Sequence, residues 1–457
     1  MAETSILSNW LHNQLHSYSL FESLKNRRSR RFAWGMSIPE GGLQYTSQIT
    51  PQPLSEEEEA ILAFAAVGMT GHALADLSFG KGQGGSMLAT FYGRTASSAD
   101  SVHAVSIFVI NDHGTWFLKR PQDFSYEEAS QIIGEVEATD TVEGLVRIYH
   151  KMRVKISDER ISTPLEPGIN FNINKWSLYQ AGTTYFLPVN EITGVYINAL
   201  IEIFSKEMAL FVVDERRWFL PAGISKYAKS RGGWLVDDFK SDRVVTIEGL
   251  EVSLQEAVAV EQGMILQNLS LMAQALGLGG FANYARSEFA WFNALQFRHV
   301  NMSGARYGGA SPILGVILEW MGQGREVHVP VGLEHNGQTL LQAYCPPYYS
   351  TMTDAVHAWV AYKFGEDGTY RGGMKVSDFS HPTQIEKKIS APSAESIEVA
   401  CAYAEYIYNR YGRFPSWSAP FRTVIGYQAS RVDISFYEQF YNPDALSETQ
   451  RNYPLNK

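Results

Sequence analysis

The sequence predicts an α+β fold, an antiparallel sheet flanked by helices with one long buried helix at its centre. The segment VSIFVI-NDHG-TWFLKR (105–120) has the strand, turn and strand pattern of a hairpin. Capping-box spacing, a serine followed three residues later by glutamate, occurs before helix-like runs. Residues 253–280 join such a box to a long apolar run that ends in glycines. Helical and strand patterns in one chain favour the mixed class.

Composition narrows the classes of function. The chain has 457 residues, 45% of them hydrophobic, which is ample for a large core. Its formal net charge of -10 argues weakly against nucleic acid as a partner. We see no signal peptide and no uninterrupted apolar run of about 18 residues, so we expect a cytoplasmic protein with no membrane span. The two cysteines, Cys345 and Cys401, suit a reducing compartment.

The first half of the chain alternates helical and strand-like segments. Residues 9–26 read as one helix that leads into a basic run. Ser55 with Glu58, and Ser125 with Glu128, each mark the start of a helix. The motif GKGQGG (80–85) fits a glycine-rich phosphate loop, but no clear strand precedes it, so we expect a plain loop. Farther along, a helix is predicted over 195–204 and a buried strand over 208–214.

The long helix is the most distinctive element. We place its start at Ser253, capped with Glu256, and its end near Leu276, before Gly277 and Gly279. Its second half is apolar on nearly every side, which is typical of a helix buried all round. A last helix over 394–411 ends at Gly412.

These elements suggest three parts of the chain. Residues 1–299 form a core with an enlarged middle segment. Residues 300–392 alternate short strands and turns without a linker composition, so we interpret them as an insertion or lid. Residues 393–457 provide a C-terminal helix and a tail that would complete the site and an interface.

The basic run LKNRRSRRF (24–32) is the first candidate site. In an extended chain, alternate side chains point the same way, so Arg27, Ser29 and Arg31 could converge on one anion. Guanidinium groups and a hydroxyl are suitable donors for a phosphate. The alternative, a solvated and charged helix end, is equally open on composition alone.

Two further segments carry polar groups where a ligand could use them. Ser97, Ser98, Asp100 and Ser101 precede the strand at 105, although an ordinary loop explains them too. On the long helix, four amides need hydrogen-bond partners, and the glycines after it would let backbone N–H groups approach a flat ligand. The commoner explanation is that these amides bond to neighbouring backbone. They are Gln262, Gln267, Asn268 and Gln274.

The order of these segments resembles the FMN-dependent nitroreductase superfamily. The motifs are R-R-S-x-R at 27–31, small-S-S-x-D-S at 96–101 and G-x-x-x-Q-N-L through A-L-G-L-G at 263–279. Residues 93–120 are also similar to a segment of azoline-oxidising peptide dehydrogenases, a branch of the same superfamily. The resemblance implies a nitroreductase-like sheet with the long helix central, a homodimer, and FMN at the subunit interface.

The resemblance also implies roles for individual residues. The 27–31 run, including Arg28, would hold the FMN phosphate through Arg27 and Ser29, and Arg31 would lie near the N1/O2 edge of the flavin. Ser97, Ser98 and Asp100 would line the isoalloxazine. The backbone around Gly279, Gly280 and Phe281 would approach the N5/O4 side of the ring. Arg413 would add a basic residue at the phosphate. The implied chemistry is two-electron transfer through FMN, with NAD(P)H as a candidate donor. No side chain declares itself as a catalytic acid or base, and the histidines show no metal-binding spacing.

Two alternatives stay open. One is a biosynthetic dehydrogenase that acts on an azoline-containing peptide or a similarly bulky substrate, for which a large lid would be suitable. The other is a non-catalytic scaffold, because Asp100 stands where many members of the superfamily have asparagine and because the tail is long. Residues alone identify neither the substrate nor the direction of the reaction.

Overall fold

The fold is described from a computed structural model for residues 2–72, 92–165, 172–284, 288–322, 324–416 and 425–456. Within them, helices and largely antiparallel strands alternate along the chain, which confirms the α+β class. The GKGQGG motif at 80–85 lies outside the described residues.

The helices account for most of the regular structure. They are α1 (Ala2–Ser17), α2 (Leu20–Asn26), α3 (Glu56–Val67), α4 (Tyr126–Glu137), α5 (Val142–Met152), α6 (Thr193–Ile203), α7 (Ile247–Ala275), α8 (Glu288–Ala294), α9 (Gly304–Tyr307), α10 (Pro312–Trp320), α11 (Met352–Phe364), α12 (Pro382–Glu386), α13 (Ala394–Tyr411), α14 (Ile434–Phe440) and α15 (Glu448–Arg451).

The strands are short, and most of them pair antiparallel. They are β1 (Ser37–Ile38), β2 (Tyr45–Thr46), β3 (Met69–His72), β4 (Tyr92–Arg94), β5 (Val105–Asn111), β6 (Gly114–Leu118), β7 (Arg153–Ser157), β8 (Thr184–Asn190), β9 (Phe211–Asp214), β10 (Leu220–Pro221), β11 (Val244–Thr246), β12 (Gly279–Tyr284), β13 (Arg298–Ser303), β14 (Glu326–His335), β15 (Gln338–Gln342) and β16 (Ile425–Ser430). The predicted hairpin at 105–120 is confirmed as β5 and β6.

The main sheet brings distant parts of the chain together. Its strand order is β12-β16-β8-β5-β6-β7, and every neighbouring pair is antiparallel. Strand β16, near the C-terminus, lies between β12 and β8, so the six-stranded sheet is complete only when this late segment is in place. Strands β5, β6 and β8 are buried along their whole length, which indicates that both faces of the sheet are covered.

Each face of the sheet packs against a different set of elements. One face presents Val105, Ile107 and Phe186 to helices α3 and α7, in a cluster that also holds Leu266 and Leu269. The other face presents side chains such as Phe108 and Leu187 to Trp291, Leu333 and Leu341. Residues from β14 and β15 therefore share a hydrophobic core with the sheet.

Helix α7 begins earlier than the sequence predicted. Its N-cap is Thr246, whose side chain accepts from the N–H of Gly249. The predicted capping box at Ser253 is wrong: Ser253 lies inside the helix and donates to the carbonyl of Gly249 at 2.9 Å. The helix is not buried all round either, since Val260 and Met264 are exposed. Its end is as predicted, with Gly277 at φ +77°.

The other helix predictions fare unequally. The helix predicted over 9–26 is two helices, because α1 ends at Ser17 and Ser19 caps the start of α2. The capping boxes at Ser55 and Ser125 are confirmed. The last predicted helix is α13, and its C-cap Gly412 is left-handed at φ +72°.

Candidate functional site

The basic run lies beside the strand that follows α7. The N–H of Gly280 donates to the carbonyl of Arg30 at 2.8 Å, and Ala33 forms a β-bridge with Val432. Helix α2 packs on α7 just before this point. Two of the segments singled out in the sequence, the 27–31 run and the glycine end of α7, therefore meet.

A cavity of about 410 Å³ opens beside this contact, and we call it the arginine cleft. Four consecutive residues, Arg28 to Arg31, supply most of its polar lining, and Asp444 adds one carboxyl. Aromatic rings form much of the opposite side, and these are Phe32, Trp176, Phe436, Tyr437 and Tyr441. The volume is within the range of small-molecule pockets, about 300–1,000 Å³.

Arg30 and Arg31 are held in place but keep spare hydrogen-bond capacity. Arg30 is 3% exposed and donates to the carbonyl of Ala445. Arg31 donates to Asn174 Oδ1 and Ser177 Oγ, both at 2.8 Å. Arg30 Nη1 and Arg31 Nε are buried with no acceptor within hydrogen-bond distance among the described residues. Buried donors without an acceptor are costly, and the positive charge of both side chains beside the cleft favours an anion there.

Burial acts on the charge of both guanidinium groups. It lowers the pKa of Arg30 to about 10, with further lowering from the neighbouring Arg28 and Arg27. The pKa of Arg31 is also lowered by burial. Both side chains remain cations at neutral pH. The guanidinium of Arg31 lies 4.3 Å from the ring centroid of Phe281 and 5.1 Å from that of Trp176, which holds its plane in position.

The geometry differs from simple alternation along the run. Arg27 ends α2, where its N–H donates to the carbonyl of Ser23, and it does not line the arginine cleft. Arg28 folds back onto the carbonyls of Lys25 and Arg27. Arg30 is instead the buried member of the run and Arg31 is half-buried, and the bridge between Arg30 and Gly280 sets the run against β12.

The glycines at 279 and 280 are explained by packing. A Cβ on Gly279 would lie 2.7 Å from the carbonyl oxygen of Arg30, and one on Gly280 would lie 2.5 Å from the hydroxyl of Tyr427. The N–H of Gly280 already donates to Arg30. Gly279 lets the basic run approach β12 closely and Gly280 makes room for Tyr427 of β16, and both requirements arise without any ligand.

The serine-rich loop lies against the middle of α7. Ser98 Oγ donates to Glu261 at 3.0 Å, and it accepts from the N–H of His103. Glu261 also accepts from the N–H groups of Ala104 and Val105, and burial raises its pKa. Glu261 is fifteen residues from Leu276, or about 22 Å along the helix. Within one chain, Ser97 and Ser98 are therefore distant from the arginine cleft, and the side chain of Asp100 lies outside the described part of the chain.

Arg413 lies nearer the other end of α7. It is 3% exposed, stacks 3.8 Å over the ring of Tyr307 and donates to the carbonyl of Pro415. The next residue, Ser416, donates to Glu251 near the start of the helix. Glu251 and Leu276 are about 38 Å apart along the helix axis, so one chain does not bring Arg413 to the arginine cleft.

A different C-terminal arginine reaches the neighbourhood of the cleft. The carbonyl of Arg431 accepts from the N–H of Trp34, and its side chain pairs with Glu58 at 2.9 Å deep in the core. Its charge is thereby neutralised by a carboxylate. Sequence reasoning did not single out Arg431.

The amides on α7 support the structural explanation. Asn268 donates to the carbonyls of Ala65 and Thr95, both at 3.0 Å. Gln274 donates to Ser447 at 2.9 Å, and Gln262 reaches Asn190. These side chains fasten α7 to its neighbours.

The described residues contain neither a metal-binding cluster nor a helix suited to crossing a membrane. No cluster of three or more His, Cys, Asp or Glu side chains could hold a metal ion there. None of the helices in the same ranges combines the length and the apolar character that a membrane crossing requires.

Comparison with known proteins gives one distant structural match to report. No family model matches the chain, and no curated protein matches it. Among solved structures, a candidate nitroreductase from Ralstonia eutropha JMP134 matches with 12% identity and a TM-score of 0.28. The match covers 61% of this chain and 75% of that one. The likeness is remote, and no residue role is taken from it.

Proposed function

We propose that the protein is a flavin-dependent oxidoreductase that binds FMN at the arginine cleft, in a site that a second copy of the chain completes. The observation that carries the proposal is the lining of the cleft, in which Arg28, Arg30 and Arg31 bring positive charge to a wall of aromatic rings. A phosphorylated planar ligand supplies both an anion and a stacking surface. The resemblance to FMN-dependent nitroreductases, based on the 27–31 run and the α7 motif, specifies the ligand as FMN.

The chain's own residues would bind, orient and polarise. Arg30 and Arg31 offer fixed positive charge, and Ser29 adds an exposed hydroxyl on the same wall. Bound FMN would supply two-electron transfer, while the protein sets its orientation and electrostatics. A cation held beside the flavin favours its reduced, anionic form. Since Arg31 is fixed between Asn174, Ser177 and two rings, this stabilisation would need little rearrangement.

The second copy is proposed because one chain separates the predicted contacts. Ser98 lies about 22 Å along α7 from the arginine cleft, and Arg413 lies farther still. Between them, α7 leaves Val252, Val260 and Met264 exposed. Helix α2, beside the cleft, exposes Leu20, Phe21 and Leu24. Exposed apolar side chains on adjacent helices are typical of an interface, and a two-fold dimer across α7 would bring each chain's serine loop towards its partner's cleft.

The first experiment is the absorbance spectrum of the purified protein, followed by titration with FMN. We expect a flavin band and a saturable fit, and the band should bleach with NADH or NADPH. Arg31→Gln should weaken FMN binding at least tenfold, because it removes a fixed buried cation. Arg298→Gln is the matched control: Arg298 pairs with Glu334 at the surface and should have no effect. A protein that takes up no FMN would refute the proposal and leave the scaffold alternative.

The choice of arginine separates the sequence interpretation from the structural one. Under the resemblance, Arg27→Ala sharply lowers FMN occupancy. The cleft geometry instead assigns the larger effect to Arg31, since Arg27 does not line the cleft. Titrating the Arg27→Ala and Arg31→Gln variants with FMN under the same conditions decides between the two assignments.

The second copy has its own test. Val260→Asp puts a charge on the exposed side of α7, so we expect a monomer by sedimentation and a loss of FMN. Met208→Asp, at an exposed methionine before β9, is the control and should change neither. FMN binding by a Val260→Asp monomer with unchanged affinity would refute the shared site while leaving the cleft itself intact.

A further inference from the structure

A second cavity, which shares no lining residue with the arginine cleft, lies between helices α6 and α11. It has a volume of about 290 Å³. Its lining combines two cations and two carboxyls with three aromatic rings. The residues that matter are Arg120, Glu191, Tyr344, Trp359, Tyr362 and Lys363. Neither the resemblance nor the proposed flavin site uses any of them.

Two of the charged groups are fixed by their own partners. Arg120 donates to Asp123 through Nε and Nη2, at 3.1 and 2.9 Å. Glu191 lies at the start of α6, where it accepts from the N–H groups of Thr193 and Gly194 at 2.6 and 3.3 Å. These contacts hold both side chains in fixed positions around the cavity, so the polar part of the lining is already organised.

Lys363 brings a third charge to the same space. It is 3% exposed, and its Nζ lies 3.5 Å from Asn198 Oδ1. The same nitrogen lies 5.6 Å from the ring centroid of Trp359 and 5.2 Å from that of Tyr370. Burial lowers the pKa of Lys363 to about 7. A lysine in such surroundings is strongly stabilised as a cation if an anion enters beside it.

The aromatic side chains form a rigid wall. The rings of Tyr344 and Trp359 meet edge to face at 5.1 Å, and Trp359 and Tyr362 lie 5.4 Å apart. Gly194 makes this wall possible, because a Cβ there would lie 2.5 Å from the Trp359 ring. A planar apolar group could pack against the wall while its charged end faced the cations.

We propose that this cavity binds a small organic monocarboxylate with a planar body, its carboxylate directed at Lys363 and Arg120 and its plane against Trp359 and Tyr344. The volume is at the lower end of the range for small-molecule pockets, about 300 Å³. A phosphate dianion is a poorer ligand, since Asp123 already occupies two donors of Arg120 and Glu191 adds a nearby carboxyl.

The cavity has a neighbour through which a ligand could pass. A larger cavity of about 710 Å³ shares three lining residues with it: Gln122, Tyr362 and Thr369. Tyr126, on the far side, reaches Thr369 Oγ1 at 3.4 Å. The side chains of these shared residues therefore lie between the two spaces.

The test is direct titration by ligand-observed NMR and calorimetry. The probes are benzoate, 4-hydroxybenzoate and indole-3-carboxylate, each beside its neutral amide, with inorganic phosphate as a competitor. At least one acid should bind saturably and at least tenfold more tightly than its amide, and phosphate should not displace it. If none of the acids binds up to about 10 mM, or if the amides bind equally well, the proposal is refuted; an affinity weaker than millimolar is too weak for a specific site.

Variants assign the binding to this cavity. Lys363→Met keeps the chain length, removes the cation and should weaken the acid at least tenfold. Lys375→Met is the matched control: it lines only the larger cavity and should bind like the wild type. If Lys363→Met is unfolded by near-ultraviolet circular dichroism, Gln replaces Met at this position. Unchanged binding in a folded Lys363 variant would overturn the assignment.

The pH dependence gives a readout that a purely structural lysine would not. Affinity should fall as pH rises above about 7, by up to tenfold per unit, because Lys363 then loses its proton in the empty cavity. Burial also raises the pKa of Glu191, so its ionisation acts in the same direction. The pKa values of the surrounding tyrosines are raised by burial, which keeps them neutral here; the groups facing Lys363 are Glu191, Arg120, Asp123, Tyr344, Tyr362 and Tyr370. A Lys363→Met profile as steep as that of the wild type would contradict the proposal.

Flavin and acid binding are scored separately. A protein that binds an acid but no FMN would support this inference and refute the proposed function. FMN binding without acid binding would do the reverse.

Discussion

The middle and the C-terminal end of helix α7 handle buried charge in opposite ways. In the middle, Glu261 receives donors from Ser98, Ala104 and Val105, so its hydrogen-bonding capacity is used within the fold. At the end, Arg30 and Arg31 lie beside a cavity with donors that face no acceptor in the described part of the chain. Polar groups satisfied by the chain stabilise it, whereas groups left over are available to a ligand. Of the two polar motifs singled out in the sequence, the serine-rich loop is therefore structural and the basic run is a candidate binding site.

The largest test of this difference is Glu261→Ala. It leaves buried N–H groups and the Ser98 hydroxyl without an acceptor, so we expect a loss of about 3 kcal/mol in the free energy of unfolding. Arg31→Ala, at the other end, should lose less than about 1 kcal/mol, because an unsatisfied donor is removed with the side chain. Urea denaturation measures both. Equal losses would mean that the two regions do not differ as described.

A pair of glycine substitutions on one stretch of chain sharpens the comparison. Gly280→Ala places a Cβ 2.5 Å from the Tyr427 hydroxyl and 2.8 Å from the Gln428 carbonyl, so it should cost about 2 kcal/mol. Gly263→Ala, in the exposed middle of α7, meets nothing within 4 Å and should stabilise the helix by up to about 1 kcal/mol. Thermal unfolding should show opposite signs, and a tolerated Gly280→Ala would contradict the close packing of β12 against Tyr427 and Gln428 of β16.

The pH dependence of stability should arise in the middle of the helix. Burial raises the pKa of Glu261 above its usual 4.5, so the folded chain binds a proton that the unfolded chain releases. Its contribution to stability is complete below pH 4.5 and is lost as the pH rises through the folded pKa, by up to about 1.4 kcal/mol per unit. Glu261→Gln should flatten this part of the profile. An unchanged slope in that variant would show that Glu261 keeps its ordinary pKa.

The smallest expected effects belong to the two serines. Ser98→Ala removes the acceptor for the His103 N–H and the donor to Glu261, and should cost about 1 kcal/mol. Ser29→Ala, exposed on the cleft wall, should leave unfolding unchanged and weaken FMN binding a few-fold. Unfolding and FMN titrations on both variants measure this. A stability loss at Ser29, or none at Ser98, would reverse the assignment.

Local patterns allowed much of the fold to be predicted. The β5–β6 hairpin, the capping boxes at Ser55 and Ser125 and the end of α13 at Gly412 all follow from interactions within a few residues. The start of α7 was misplaced, because Ser253 fits a cap by spacing while Thr246 makes the actual one. Caps compete locally, and the strand β11 before the helix decided between them.

The candidate site was less accessible to sequence reasoning. Spacing favoured Arg27, Ser29 and Arg31 on one face, whereas in the fold Arg27 ends α2 outside the cleft and Arg30 is buried where it bridges to Gly280. Asn174, Ser177 and Trp176, which hold Arg31, have no motif and are more than 140 residues away in the chain. The cavity at Lys363 left no sequence signal, since its charged side chains come from three separate segments, around 120–123, 191 and 363.

The sequence by itself determined the class of fold, the charge concentrated at 25–31 and the glycine end of α7, because each depends on residues that are neighbours in the chain. Only the tertiary structure decided which of those charged groups find hydrogen-bond partners within the fold. Strand β16 enters the sheet between β12 and β8, and the packing of the basic run on β12 gives Arg30 its buried position. Hydrogen-bond satisfaction is a property of groups brought together across the whole chain, so it cannot be read from any one segment.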